Sequence, residues 1–327
     1  MILKTNELDQ RLSRKINLFE LASLLIVFLI AVYFLVTKSG IYYDFENYLA
    51  TAQGDFNNYF YGYWLVPFFK ILAFLTFEIS YFFWIVLSII GVFFATRVFI
   101  GNNYLALFSY QMSFLLFWGQ ISGIICGFLG LFWWSMHRKK WWLAGIALLI
   151  AAAKPQSGGI FALLLWIFAD IPWKNKFRLL IIPIIGFLLS LVVYPGWVMD
   201  VILRSGNAYA WGNISLYQWI GWWALLLFIP AIIIPMSKQQ RFLILVSTCI
   251  LSIPYFLQTD LITLFVFPVG FVPILIGYLP AIMPFYLGYQ GQHVGFLVPF
   301  FVYFYILVPE LVNLGHSVKN KNTTTNL

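Results

Sequence analysis

The sequence predicts an all-α polytopic membrane protein, and three observations carry that prediction. Hydrophobic residues make up 62% of the chain and charged residues 9%, with a mean hydropathy of +0.90; a water-soluble domain carries about 25% charged residues. Apolar runs approaching the ~20 residues that a helix needs to cross ~30 Å of hydrocarbon recur along the chain. The breaks between these runs carry Lys and Arg clusters on alternate sides. Open sheets are excluded in lipid because every backbone polar group must be satisfied internally, so the runs read as helices.

Taken in order, Ile16 to Val36 is the first span. It is too long, and ends too little like an Ala-x-Ala cleavage site, for a removable signal peptide. Residues 37–78 follow as a substantial outer loop, and spans are drawn at 79–99, 103–118, 120–136, 141–153, 156–171 and 178–195. A second outer loop covers 196–215, followed by spans at 216–236 and 242–257. From Leu261 to Tyr289 the chain is apolar but broken by Pro268, Pro273, Pro280 and Pro284, which fits one kinked helix or two short ones. A last span lies near 294–314, and Lys319 and Lys321 beyond it favour two helices in the broken stretch, which gives about twelve spans within an expected range of about 10–12. No soluble domain is large enough to fold alone and no internal repeat is visible. Residues 1–318 therefore read as a single integral domain and 319–327 as a polar, disordered tail.

Orientation follows from the basic residues. Lys4/Arg11/Arg14/Lys15, Arg97, Arg138/Lys139/Lys140, Lys174/Lys176/Arg178 and Lys238/Arg241 mark cytoplasmic loops, leaving Lys38, Lys70, Lys154 and Arg204 outside. The net charge of +8 is thus explained by topology, and a nucleic-acid partner is not needed.

Several features read as structure. Trp133/Trp134, Trp141/Trp142, Trp211 and Trp222/Trp223 cluster near span ends as an aromatic belt would, although Trp211 or Tyr59 could also stack on sugar rings. Gly123, Gly127 and Gly130 form a small face suited to close helix packing. Cys126 and Cys249 fall within spans and support neither a disulfide nor a metal site. His137, His293 and His316 lack zinc spacing. Asn213-Ile214-Ser215 and Asn322-Thr323-Thr324 match the glycosylation sequon, a pattern common by chance.

The outer side gathers the polar residues that could carry chemistry: Asp44, Glu46, Asp55, Gln120, Lys154, Gln156, Arg204 and Asp260. Ile41, Phe45, Tyr48, Leu49 and Ala52 form an apolar stripe of a short interfacial helix that Gly54 ends. On that helix Asp44 and Glu46 stand roughly 200° apart, so at most one of them points into a given pocket. An N-cap role for Asp44 and simple solvation for Glu46 and Asp55 are the plain structural alternatives. Lys154, in Ala152-Ala153-Lys154-Pro155-Gln156, and Gln120, in Trp118-Gly119-Gln120, lie where short apolar runs meet. A Lys in hydrocarbon costs about 2.5–3.5 kcal/mol on insertion scales and faces a cavity or a partner charge unless it snorkels to headgroups. Pro155 breaks the helix beside it and frees backbone groups for a polar site.

These residues resemble glycosyltransferase family 87. The resemblance rests on Asp44-Phe45 followed by Tyr48, Tyr59-Phe60-Tyr61 leading to Pro67, and Gly119-Gln120 followed by a basic loop and Lys154-Pro155-Gln156. Ser252-Ile253-Pro254-Tyr255 followed by Asp260 adds to it, and together the motifs span roughly residues 40–265. The resemblance implies a GT-C-like fold and transfer of a sugar, often mannose, from a polyprenyl-phosphate carrier to an acceptor on the outer side of a cell membrane. It also implies that Asp44 is the general base.

The chemistry agrees independently. A lipid-phosphate sugar carries an activated leaving group, so no acid is required to protonate it, and one carboxylate suffices to take the proton of the attacking hydroxyl. Attack from the face opposite the phosphate inverts the anomeric carbon. Lys154 and Arg204 are the expected clamp on the departing phosphate. Glu46, Asp55, Gln120, Gln156 and Asp260 complete the candidate pocket, Asp260 being either a polar contact or an N-cap for the helix after it. No metal or cofactor is required, since the lipid-linked sugar is a substrate. The expected partners are that donor, a lipid or glycan acceptor and the surrounding membrane lipids.

Two other classes stay open on sequence alone. A multispan transporter or lipid flippase also uses Pro-broken helices meeting at polar residues, but should carry polar groups near the midplane and repeat symmetry. A non-catalytic scaffold subunit would tolerate loss of Asp44.

Overall fold

The computed structural model describes residue 10 and residues 12–205 and 212–324, and among these it is helical with no strand. The helices that position the site are α1 (Leu18–Thr37), α2 (Tyr43–Ala52), α3 (Val66–Ala73), α4 (Phe77–Phe99), α5 (Tyr110–Trp118), α6 (Ser122–His137), α7 (Trp141–Ala151) and α8 (Ile160–Phe168). After these come α9 (Trp173–Leu179), α10 (Ile181–Val193), α11 (Trp197–Ser205), α12 (Lys238–Ser252) and α13 (Leu297–Thr324). The chain is a multi-pass membrane protein, as its composition requires.

Fewer helices cross on their own than the apolar runs suggest. Among the described residues four are long and apolar enough to span: Leu18–Thr37, Phe77–Phe99, Trp173–Val193 and Gln290–Leu314. A fifth is possible if α5 and α6, bent by 115° at their junction, count as one. Trp141–Ala151 has 11 residues, about 16 Å at 1.5 Å per residue and half the hydrocarbon thickness. The expected spans 141–153 and 156–171 are thus two short helices joined at a polar turn, and 216–236 is likewise built from short pieces. Residues 261–289 form several one- to two-turn helices, because each proline removes a backbone donor and clashes with the preceding turn. Helix α13 continues to Thr324, through much of the segment expected to form the polar tail.

Helix α4 is the centre of the bundle, and α6 crosses it at glycine. A Cβ on Gly91 would lie 2.5 Å from the Gly123 carbonyl oxygen, and one on Gly127 would lie 2.7 Å from Gly91 Cα. The small face expected on α6 is therefore where two backbones meet.

At one end of the bundle α1 starts with an Asn17–Glu20 capping box. There Glu20 bonds Arg14 at 3.0 Å and Asn103 at 2.8 Å, and Arg97, at the end of α4, donates to the Arg14 carbonyl. At the other end, the amides of Ile41 and Tyr42 donate to the Phe117 carbonyl at 3.1 and 3.2 Å, tying the exit of α1 to the end of α5. Trp84 Nε1 donates to the Gly119 carbonyl at 3.0 Å and Gly62 N to the Ala153 carbonyl at 2.8 Å. The exits of α1, α5 and α7 and the entries of α4, α6 and α8 therefore converge, and the polar residues sit among them.

Candidate active site

Helix α2 carries Asp44 in its first turn. Its inner side buries Phe45, Tyr48 and Thr51, with Tyr48 stacked on Phe69 at 5.0 Å and Phe45 against Tyr81 and Trp84. Asp44 lies four residues before Tyr48, about 40° round the helix from it, on the flank beside the bundle. Glu46 points the other way and is exposed, and so is Asp55. The helix starts at Tyr43, so Ile41 is not part of its buried stripe; Tyr42 is the cap residue and no side chain caps the helix. Asp44 is accordingly not an N-cap.

Opposite the start of α2 is the turn between α5 and α6. Gly119 adopts φ +73°, and a Cβ on it would lie 2.6 Å from Phe45 Cβ. Only glycine suits both the left-handed conformation and that approach. The turn delivers Gln120, whose Nε2 donates to Asp44 Oδ2 at 2.6 Å.

Behind Gln120 lies a buried ion pair. Lys154 Nζ is 2.5 Å from Asp260 Oδ1, and solvent reaches neither side chain. Lys154 also donates to Gln120 Oε1 at 3.1 Å and to Ser122 Oγ at 3.0 Å, and Ser122 donates to Asp260 Oδ1 at 2.6 Å. The Tyr61 ring covers Nζ at 5.4 Å. Lys154 precedes Pro155 at the polar turn after α7, where Pro155–Gly159 form a wide π turn instead of continuing a regular helix. Asp260 sits in the tight turn Gln258–Leu261; it is a polar contact and caps no helix with its side chain. Its Oδ2 is buried with no hydrogen-bond partner among the described residues.

In front of Gln120 opens a cleft of about 1000 Å³. Asp44, Gln120, Gln156 and Arg204 line it, with aromatic and apolar residues such as Tyr43, Phe60, Tyr61, Trp118 and Ile160. Four of the eight expected site residues thus share one cavity. Lys154 and Asp260 stand behind its wall, and Glu46 and Asp55 are not part of its lining. Of the two cations expected to clamp a phosphate, Arg204 alone is in the lining. Its Nη2 donates to Tyr63 OH at 2.8 Å and its Nε to the Asp200 carbonyl at 3.1 Å. Arg204 and Asn57 also line an adjoining cleft of about 600 Å³ with Tyr194, Trp197 and Asp200.

Electrostatics single out Asp44, which lies in the loop between two spans. Burial pushes its carboxyl up to about 7, against the opposing pull of the Lys154 charge and the Gln120 amide, with a further push from Asp260. A carboxylate poised there can exchange a proton near neutral pH.

Other sequence candidates resolve into structure. Tyr59 is buried, its hydroxyl donating to the Gly62 carbonyl at 2.9 Å, so its ring is unavailable to a sugar. Trp133 is in the core, whereas Trp222 and Trp223 are exposed as belt residues would be. Trp211 lies outside the described residues. Asn213 is buried: its Nδ2 donates to the Pro254 carbonyl at 2.9 Å and its Oδ1 accepts from Phe256 N at 3.0 Å. It braces the Pro254–Leu257 edge of the cleft and is closed to glycosylation in the fold. Sequence reasoning missed Ser122 and Asn57, because isolated Ser and Asn carry no periodic or motif signal. Only the position of Ser122, just after Gly119-Gln120, pointed to it.

Among known protein families, the model of glycosyltransferase family 87 matches residues 59–253. No curated protein and no solved structure matches the chain.

Proposed function

The chain belongs to glycosyltransferase family 87 and is a membrane glycosyltransferase, and from that premise we propose that it transfers a hexose from a polyprenyl-phosphate sugar to a lipid or glycan acceptor. The observation that carries this reading is Asp44 on the wall of the 1000 Å³ cleft, its carboxyl held near neutrality, with Arg204 in the same lining.

In the proposed reaction Asp44 takes the proton of the acceptor hydroxyl as its oxygen forms a bond to the anomeric carbon. The bond from that carbon to the phosphate oxygen breaks, and its electron pair leaves with the polyprenyl phosphate. Attack and departure on opposite faces invert the configuration. The leaving group is already a good one, so a single carboxylate serves where glycosidases need two. Arg204 is the candidate holder of the departing phosphate, since its planar guanidinium matches phosphate geometry. Tyr43, Phe60, Trp118 and Ile160 supply apolar surface suited to a polyprenyl chain. Gln156, in the same lining, is the candidate for bonding sugar hydroxyls. Mannose is the hexose that the family resemblance favours, and the position of Arg97, Arg138 and Arg241 at helix ends outside the cleft lining supports a reaction on the extracytoplasmic face of the cell membrane.

The test is transfer of labelled sugar from a panel of polyprenyl-phosphate sugars to extracted membrane lipids and glycans, with purified wild type and Asp44→Asn. Transfer by wild type alone supports the donor class and the base together. Transfer from none of the donors removes the polyprenyl-phosphate reading, and equal transfer by both proteins removes Asp44 as the base.

A further inference from the structure

Gln120 joins the cleft to the buried ion pair, and its amide has two unlike ends. An ammonium group can only donate a hydrogen bond. Lys154 Nζ, 3.1 Å from Oε1, therefore fixes the oxygen inward and turns Nε2 outward, 2.6 Å from Asp44 Oδ2. Turning the amide over would set donor against donor at Lys154 and acceptor against carboxylate at Asp44. Lys154 is not free to move aside. It is held by Asp260 at 2.5 Å and Ser122 at 3.0 Å, with no exposure to solvent.

Such a pair is costly for a membrane protein to keep, since apolar residues of similar volume often serve stability as well or better. Its retention needs a reason beyond stability, and the orientation of Gln120 supplies one. Asp44 Oδ2 receives the Gln120 bond, while Oδ1 has no donor among the described residues.

Resting on the reading of Asp44 as the base, we propose that Gln120 is a positioning residue, its amide locked by the Lys154–Asp260 pair so that it grips one oxygen of Asp44 and leaves the other to take the acceptor's proton. Lys154 on this view acts from behind the wall and does not bind the donor phosphate.

The groups that face Asp44 are Lys154 and Asp260 from the interior, Tyr48 on its own helix, Tyr61 from the following loop, Tyr81 from α4 and Arg204 in the cleft lining. Phenols carry no charge at neutral pH. The charged groups weighing on the carboxylate are therefore Lys154 and Asp260, Arg204 only sharing the cleft lining, and the Gln120 amide is the neutral donor bonded to it.

The experiment is a pH titration of the Asp44 carboxyl stretch by infrared spectroscopy on the purified full chain, the band being assigned by its loss in Asp44→Asn. Wild type, Gln120→Met, Gln120→Glu and the charge-balanced pair Lys154→Met with Asp260→Asn are compared. The wild-type midpoint is expected near pH 7. Gln120→Met raises it by about one pH unit through loss of the donor, and Gln120→Glu raises it further by setting a second carboxylate against Asp44. The double variant also raises it, through loss of the lock together with the net pull of the pair, and Lys154→Arg, which keeps the charge, isolates the lock by a rise of its own. Unchanged midpoints in Gln120→Met and Gln120→Glu overturn the proposal. A rise in those two without one in the double variant overturns the locking role of the ion pair. If the double variant fails to fold, Gln120→Met, which removes no charge, decides for Gln120, and Lys154→Arg, which keeps the cation and shifts its donors, decides for the lock: an unchanged midpoint there overturns it. The readout needs no substrate, so it stands apart from failure of the sugar-transfer assay.

Discussion

Lys154 Nζ and Asp260 Oδ1 stand 2.5 Å apart with neither side chain reached by solvent. Removing one partner strands a buried charge. Lys154→Met is expected to destabilise the protein by about 3–5 kcal/mol, whereas Lys154→Met combined with Asp260→Asn recovers most of that loss. Thermal unfolding in detergent, followed by loss of the monodisperse fraction, checks this; equal stability of the single and double variants would contradict it.

Asp44→Asn keeps the shape of the side chain and removes its ability to accept a proton. Transfer is expected to fall by about 10²–10⁴-fold with donor affinity and fold retained. Initial rates and donor binding to the same preparation separate the two effects.

The raised pKa of Asp44 acts in opposite directions on activity and on stability. A base works only when ionised, so kcat/KM should rise with pH about tenfold per unit below the midpoint and level off above about 7. For stability, the folded state holds a proton that the unfolded chain releases near pH 4. The contribution from this proton is fully present below about pH 4 and is lost as pH rises through about 7. A pH–rate profile and a pH series of unfolding midpoints test both signs, and Asp44→Asn should flatten the second.

Gly119→Ala places a Cβ 2.6 Å from Phe45 Cβ at a φ of +73°. The strain is expected to cost about 1–3 kcal/mol. Because Phe45 is next to Asp44 on α2, transfer should fall by more than the loss of stability explains. Rates measured well below the unfolding temperature provide the comparison.

Arg204→Met is expected to raise the KM for the lipid-phosphate donor about tenfold or more, by loss of a charge-assisted contact. Tyr63→Phe removes only the phenol that the guanidinium bonds at 2.8 Å and should have a smaller effect. A KM unchanged in Arg204→Met would remove the phosphate-binding role.

Helix class and the separation of Asp44 from Glu46 were legible in the sequence, because each follows from composition or from 100° per residue along a helix. The identity of the cleft residues was legible in part. Asp44, Gln120, Gln156 and Arg204 meet there, and their scarcity in an apolar chain marked them. The pairing of Lys154 with Asp260 was not legible, since no local periodicity relates residues so far apart. Nor was the number of full crossings: an apolar run interrupted by Pro268 or Pro280 has the composition of a span without its length. Asn213 shows the converse case, a surface-type motif whose amide serves the interior.

The order of synthesis gives the ion pair a further meaning. A chain is made from its N-terminus, and its early parts begin to fold first. Lys154 thus enters the membrane while Asp260 is still to be translated, and until then the cation lacks the carboxylate that neutralises it. A nascent or truncated chain ending before Asp260 holds an uncompensated charge among otherwise apolar helices. The polar network behind the cleft is therefore closed only in the last third of synthesis, when Asp260 reaches Lys154.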